Sequence, residues 1–321
     1  MVSAVWSRRS IECAGAARAT RPGTFAGDRA GPRWTVRRNW GEAGMADTAA
    51  RGWRVVRAVV VAVAVIALGQ LLWRALRPVY GLEGGGVAES AAFDLTAFLA
   101  ALLALVLWLR FAERRPLTDL RPHPVRRPLP SVLVGAVLAV ALLLLTNVIM
   151  GVAGSVVGDG VRGDDAGDPA GPGFGLAVGL LAVTAVQAST EELVYRGYLM
   201  GSLRHLGTYP AVLLSSLVFG LSHGLNPGAS AGYVAATFAL GVLLGFIALG
   251  PGGLWMSCAF HTAWNAAQSI PSAGEPGSEQ DGSGVGAGDL IWVFVAAVLC
   301  YAVVTALLLR RSARRAAPAA A

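Results

Sequence analysis

Two adjacent glutamates, Glu191 and Glu192, stand at the end of an apolar run suited to a membrane interior. A carboxylate there costs about 2.5–3.5 kcal/mol on insertion scales, so an unpaired one points to a function. His223 and the pair His261 and Asn265 also fall in apolar stretches. Separate hydrophobic segments therefore carry two carboxylates, two imidazoles and a carboxamide. Those are the groups of a hydrolytic site assembled within the bilayer.

Spacing divides their roles. With Thr190–Arg196 wound as a helix, Glu191 and Glu192 point about 100° apart. Arg196 follows Glu192 by four residues, so the two share a face and can form an ion pair that neutralises Glu192. Glu191 has no such local partner and is the candidate base. The competing reading is an ion-pair cluster that only ties helices together.

His223 closes the segment Phe219-Gly220-Leu221-Ser222-His223. Glu191 lies 16 residues before Gly207 and His223 lies 16 after it, so a helical hairpin turning at Gly207 brings both to one depth. His261 and Asn265 are again four apart. A neutral imidazole beside a carboxamide can donate two hydrogen bonds to a developing oxyanion. Interhelical hydrogen bonding, worth on average about 0.6 kcal/mol in membranes, is the alternative. One estimate conflicts: His261 is nine residues from Gly252, about 13 Å into the membrane, whereas the hairpin puts Glu191 near about 24 Å. Helix tilt or a recessed turn at Gly250–Gly253 must absorb the difference.

The elements that position these residues are membrane helices. Of 321 residues 55% are hydrophobic and 14% charged, against about 25% charged in soluble domains. Apolar runs recur at about 55–76, 92–111, 131–154, 174–200, 209–223, 231–249, 254–270 and 290–309. The expected fold is an all-α, polytopic membrane bundle of about eight transmembrane helices, with a four-helix catalytic core in the fourth to seventh. The glycines at 197 and 201, and at 241 and 245, make two small-xxx-small patterns that favour close packing.

All 26 basic residues are arginine, and the net charge is +7. The arginines cluster beside the apolar runs, which fits membrane orientation and no nucleic-acid partner. Arg51, Arg54 and Arg57 precede the first run. Arg114, Arg115, Arg121, Arg126 and Arg127 follow the second, Arg204 the fourth, and Arg310, Arg311, Arg314 and Arg315 the eighth. With both termini cytoplasmic all of these lie inside; Arg74 and Arg77 are exceptions expected to snorkel to the interface. The opposite loops hold Asp159, Asp164, Asp165 and Asp168, then Glu275, Glu279, Asp281 and Asp289. The lysine-free composition points to a GC-rich genome and a bacterial plasma membrane.

Four regions follow. Residues 1–50 read as a disordered basic tail or a mis-assigned start, with Met45 as the alternative. Residues 51–170 hold three accessory helices, 171–270 the catalytic core, and 271–321 a loop, the last helix and an arginine-rich tail. Cys13, Cys258 and Cys300 have no metal or redox spacing, and a disulfide framework is not expected. His123 and His205 sit in arginine-containing loops and read as solvated.

The segments Glu191-Glu192-x-x-x-Arg196, Phe219-x-x-x-His223 and His261-x-x-x-Asn265 resemble, in order, the motifs of the CAAX-protease and bacteriocin-processing (CPBP) family. That family is also called the Abi or type II CAAX prenyl endopeptidase family. Flanking Tyr195, Gly197, Ser215-Ser216 and Gly253-Leu254-Trp255 agree, and the resemblance spans about 175–270. It implies an intramembrane endopeptidase acting on a peptide or protein substrate that is membrane-associated or lipid-anchored. By that resemblance Glu191 and His223 activate water, His261 and Asn265 stabilise the oxyanion, and Glu192, Arg196 and Phe219 support the site.

The family is often described as metalloproteases, and Glu191, His223 and His261 could supply a His₂Glu zinc site with an open fourth position. Glu191 would then be a ligand and the base would lie elsewhere. No HExxH segment is present, and metal-free, glutamate-activated hydrolysis is the favoured reading. Two other functions stay open: a non-catalytic scaffold or immunity-type partner with the same fold, and a transporter relaying protons through the intramembrane carboxylate. The absence of an inverted repeat weighs against the transporter.

Overall fold

The computed structural model describes residues 40–81, 86–121, 124–125, 128–157, 173–226, 228–269 and 290–316, all helix, turn or extended connection without a strand. Eight long helices run in sequence: α1 Trp40–Tyr80, α2 Val87–Leu107, α3 Pro128–Val157, α4 Phe174–Glu192, α5 Thr208–His223, α6 Ala231–Leu249, α7 Gly253–Ser269 and α8 Leu290–Ala316. α2 continues as a π-helical turn, Trp108–Glu113. α4 continues as a π-helical segment, Leu193–Leu199, and a last turn Met200–Leu203. The eight apolar runs of the sequence thus appear as eight helices.

Six of them, α1 to α4, α6 and α8, are long and apolar enough to cross a membrane. α5 and α7, at 16 and 17 residues, reach only about 24–26 Å. Both carry site residues. With large apolar side chains such as Val137, Leu144, Leu181 and Leu307 exposed outward, the chain is an integral membrane protein.

α1 begins at Trp40, earlier than the expected boundary at 51, because Ala43, Ala46, Ala49 and Ala50 favour helix. Residues 1–39 lie outside the described residues, as do the acidic loop residues, His123, Arg126 and Arg127. α8 likewise runs through the terminal arginines to Ala316.

α6 is the central helix, packed against α5, α7 and α8, while α7 also packs on α3 and α4. Small residues permit this. A Cβ on Gly241 would stand 3.1 Å from both Phe219 and Ser216, and one on Gly245 would stand 2.9 Å from Val212. In the other small-residue pattern Gly197 abuts Leu120, but Gly201 faces open space. α4 and α5 form the expected hairpin, turning at Gly207 with φ 102°, a left-handed conformation suited to glycine.

At the opposite end of the bundle from the site, the buried Glu113 carboxylate ties three helices together. It accepts from Tyr198 Oη at 2.9 Å and Trp108 Nε1 at 3.2 Å, and pairs with Arg115 at 3.2 Å and Arg57 at 3.5 Å.

Candidate active site

The π-helical continuation of α4 turns every side chain from Val194 to Leu199 into the protein. Such segments interrupt the regular ladder and recur at functional sites. Here it buries Arg196 beside Glu192. Arg196 Nη1 donates to Glu192 Oε1 at 2.8 Å and Nη2 to the Gly241 carbonyl at 3.2 Å. The guanidinium lies 4.3 Å over the Phe219 ring, a desolvated cation–π contact. The predicted ion pair is present, with neither side chain exposed.

Glu192 does more than balance that arginine. It also accepts from Ser257 Oγ and from His261 Nδ1 at 3.1 Å. One fully buried carboxylate therefore links α4, its π segment and α7. Ser257 carried no signal in the sequence except its place one turn before His261.

Glu191 points elsewhere, as the 100° argument requires. It is 5% exposed, its Oε2 has no protein hydrogen-bond partner, and that oxygen lies 3.7 Å from His261 Nε2. A buried carboxylate oxygen left unpaired by the protein is costly. It faces a cavity of about 600 Å³ whose lining also includes His223, His261 and Asn265. All four residues read as catalytic from the sequence line this cavity, and Phe219 lines it too.

The partners fix the imidazole tautomers. His223 Nδ1 sits 2.9 Å from the Phe219 carbonyl; a carbonyl only accepts, so Nδ1 carries the proton and Nε2 keeps its lone pair. That makes Nε2 of His223 an acceptor for a water proton. His261 Nδ1 likewise donates to Glu192, so its Nε2 can donate to an oxyanion only when it holds a second proton.

Phe219 organises the group. Its ring packs edge-on against Tyr195 at 5.0 Å, His223 at 4.5 Å and His261 at 6.0 Å. Tyr195 and Ser222 hydroxyls meet at 2.8 Å, fixing α4 to α5. The depth conflict is resolved by contact, since His261 and Glu191 are neighbours. In the turn before α7, Gly250, Gly252 and Gly253 are buried and Pro251 is exposed.

Asp94 on α2 also lines the cavity and was missed from the sequence. Its signal was present, a lone carboxylate in an apolar run, the same criterion that singled out Glu191. His205 is exposed, with Nδ1 near the Ser202 carbonyl, as the solvated reading expects. Cys258 and Cys300 are free thiols.

The three-ligand zinc set is not assembled. Among the described residues no three His, Cys, Asp or Glu side chains stand together as a metal-binding group. His261 directs Nδ1 to Glu192 and His223 directs Nδ1 to a carbonyl, so each has only Nε2 free to coordinate.

Residues 173–267 match the family model described as Type II CAAX prenyl endopeptidase Rce1-like. The match covers α4 to nearly the end of α7, the segment that holds every residue of the three motifs. No curated protein sequence matches the chain.

Proposed function

We propose that the chain is an intramembrane endopeptidase, a reading supported by the match of residues 173–267 to the Type II CAAX prenyl endopeptidase Rce1-like family model. In this reading it hydrolyses a peptide bond of a membrane-associated or lipid-anchored substrate within the α4–α7 core. The observation that carries the reading is the unpaired Glu191 carboxylate oxygen, buried in a cavity beside His261.

Glu191 and His223 Nε2 hold the attacking water between two acceptors. Glu191 takes its proton as the hydroxide oxygen bonds to the scissile carbonyl carbon. The carbonyl π electrons move onto oxygen, and His261 Nε2–H and the Asn265 amide donate to that oxyanion. Collapse of the tetrahedral intermediate expels the amine, which receives the proton from Glu191. Water is consumed, one acid and one amine leave, and the carboxylate is restored.

Glu192, Arg196 and Ser257 act through position. They fix the His261 ring, with its Nδ1–H held by Glu192. Three motifs, on α4, α5 and α7, thus line the one cavity.

The test is a comparison of membrane proteomes from cells expressing wild type or Glu191→Ala, reading new peptide termini by mass spectrometry. Termini that vanish in the variant, at equal protein level, are the expected result. An unchanged set sinks the endopeptidase reading and favours a scaffold that acts by binding.

A further inference from the structure

Five carboxylates lie in the described helices long and apolar enough to cross a membrane: Glu89, Asp94, Glu113, Glu191 and Glu192. The chain supplies an arginine to three of them. Glu89 pairs with Arg77 at 2.6 Å, Glu113 with Arg115 at 3.2 Å and Glu192 with Arg196 at 2.8 Å. Among the described residues neither Asp94 nor Glu191 has an arginine partner, and both line the same cavity. Hydrolysis uses Glu191 and leaves Asp94 without a task.

Asp94 is built into that cavity. Val87, Ser90, Ala91, Asp94 and Phe98 all line it, and their spacing of three and four residues is one helical face. α2 packs on α4, so this wall adjoins the one that carries Glu191. Among the described residues the lining holds no arginine, and His223 keeps its Nε2 as an acceptor. Aromatic rings complete it, with Phe98 on α2, Tyr233 on α6, Trp264 on α7 and Phe294 on α8. Carboxylates and aromatic rings together are the surroundings that receive an ammonium or guanidinium group. Glu191, 5% exposed and with Oε2 unpartnered, is an independent sign that this space takes a ligand.

We propose that Asp94 determines specificity by pairing with a cationic group of the substrate: an arginine or lysine side chain, or a free terminal amine. The substrate thereby brings the arginine-like partner that the chain gives its other membrane carboxylates. This deepens the endopeptidase reading and rests on it for the word substrate. Asp94 lies outside the matched residues 173–267, so that segment supplies the chemistry and α2 the selection. An acidic side chain in the same place meets two carboxylates and is refused.

The test measures binding without cleavage. In a Glu191→Gln chain the general base is gone, and Asp94 is the one carboxylate left among the described residues of the lining. Short apolar fluorescent peptides, acetylated and amidated to remove terminal charge, are titrated into the detergent-purified protein. One set carries arginine at each position in turn, a reference carries norleucine throughout, and a third peptide is the reference with its amine free. Arginine at one position should tighten binding about tenfold over norleucine, the worth of one hydrogen bond to a charged group. The same gain from the free amine alone would support the pairing and assign it to a terminus.

Asp94→Asn in that chain should bring the ratio to about one, and Asp94→Glu should keep it. Scoring the ratio cancels any general loosening of the cavity. Should Asp94→Asn not accumulate, Asp94→Ser takes its place, with the side chain that Ser90 already presents one turn earlier. No preference for a cation in any peptide, or a preference that persists without the Asp94 carboxylate, overturns the proposal. The readout needs no hydrolysis, so its failure is distinguishable from failure of the Glu191→Ala test.

Discussion

α3 and α6 look alike in sequence and live in different surroundings. Their most apolar windows have mean hydropathies of 2.7 and 2.1, yet 17% of the α3 window and 67% of the α6 window is buried inside the protein. Hydropathy registers only that water is excluded. Lipid and protein are equally apolar neighbours, so it cannot say which of them surrounds a helix. What separates the two is side-chain size. α6 presents Gly241 and Gly245 where Phe219, Ser216 and Val212 close in, and lends the Gly241 carbonyl to Arg196. α3 presents Val137, Leu144 and Val148 outward. A central helix without a single charge thus holds the charged site in place.

The sharpest way to break that contrast is at the charge itself. Arg196→Met leaves the Glu192 carboxylate fully buried without its cation, which should destabilise the protein by about 3–5 kcal/mol. Thermal unfolding of the detergent-purified protein measures this. A melting temperature within one or two degrees of wild type would mean that the cluster is not what joins α4 to α6.

A smaller effect is expected on the apolar side of the comparison. Gly241→Ala forces a methyl group against Phe219, Ser216 and the Arg196 guanidinium, at a cost of about 1–3 kcal/mol. The control is Leu144→Ala on α3, whose exposed side chain should change stability by no more than about 0.5 kcal/mol. Equal losses at the two positions would erase the distinction between a protein-facing and a lipid-facing helix.

The helices were legible in the sequence because a run of about 20 apolar residues has few other solutions. Their ends were less so. Trp40–Ala50 and the terminal arginines extend α1 and α8 by ordinary helix propensity, which a hydropathy window does not register. The pairing of Glu192 with Arg196 and the turn at Gly207 follow from local geometry and were readable. The bond from Glu192 to His261 was not, since it joins residues 69 apart through a packing arrangement that no local spacing encodes. That bond also decides the His261 tautomer, so which ring nitrogen faces the cavity with a lone pair was out of reach from sequence. Asp94 was readable by the rule applied to Glu191.

The central claim is that adjacent carboxylates have opposite tasks, Glu192 holding the site and Glu191 doing its chemistry. The measurement is paired: unfolding temperature and peptide-terminus formation for Glu191→Gln and Glu192→Gln in the same membranes. Glu191→Gln should melt at or above wild type while losing about 10²–10⁴-fold in cleavage, the range of a general base. Glu192→Gln should lose stability and cleavage together. Near-normal cleavage by Glu191→Gln, or a drop in its melting temperature equal to that of Glu192→Gln, would contradict the division of labour.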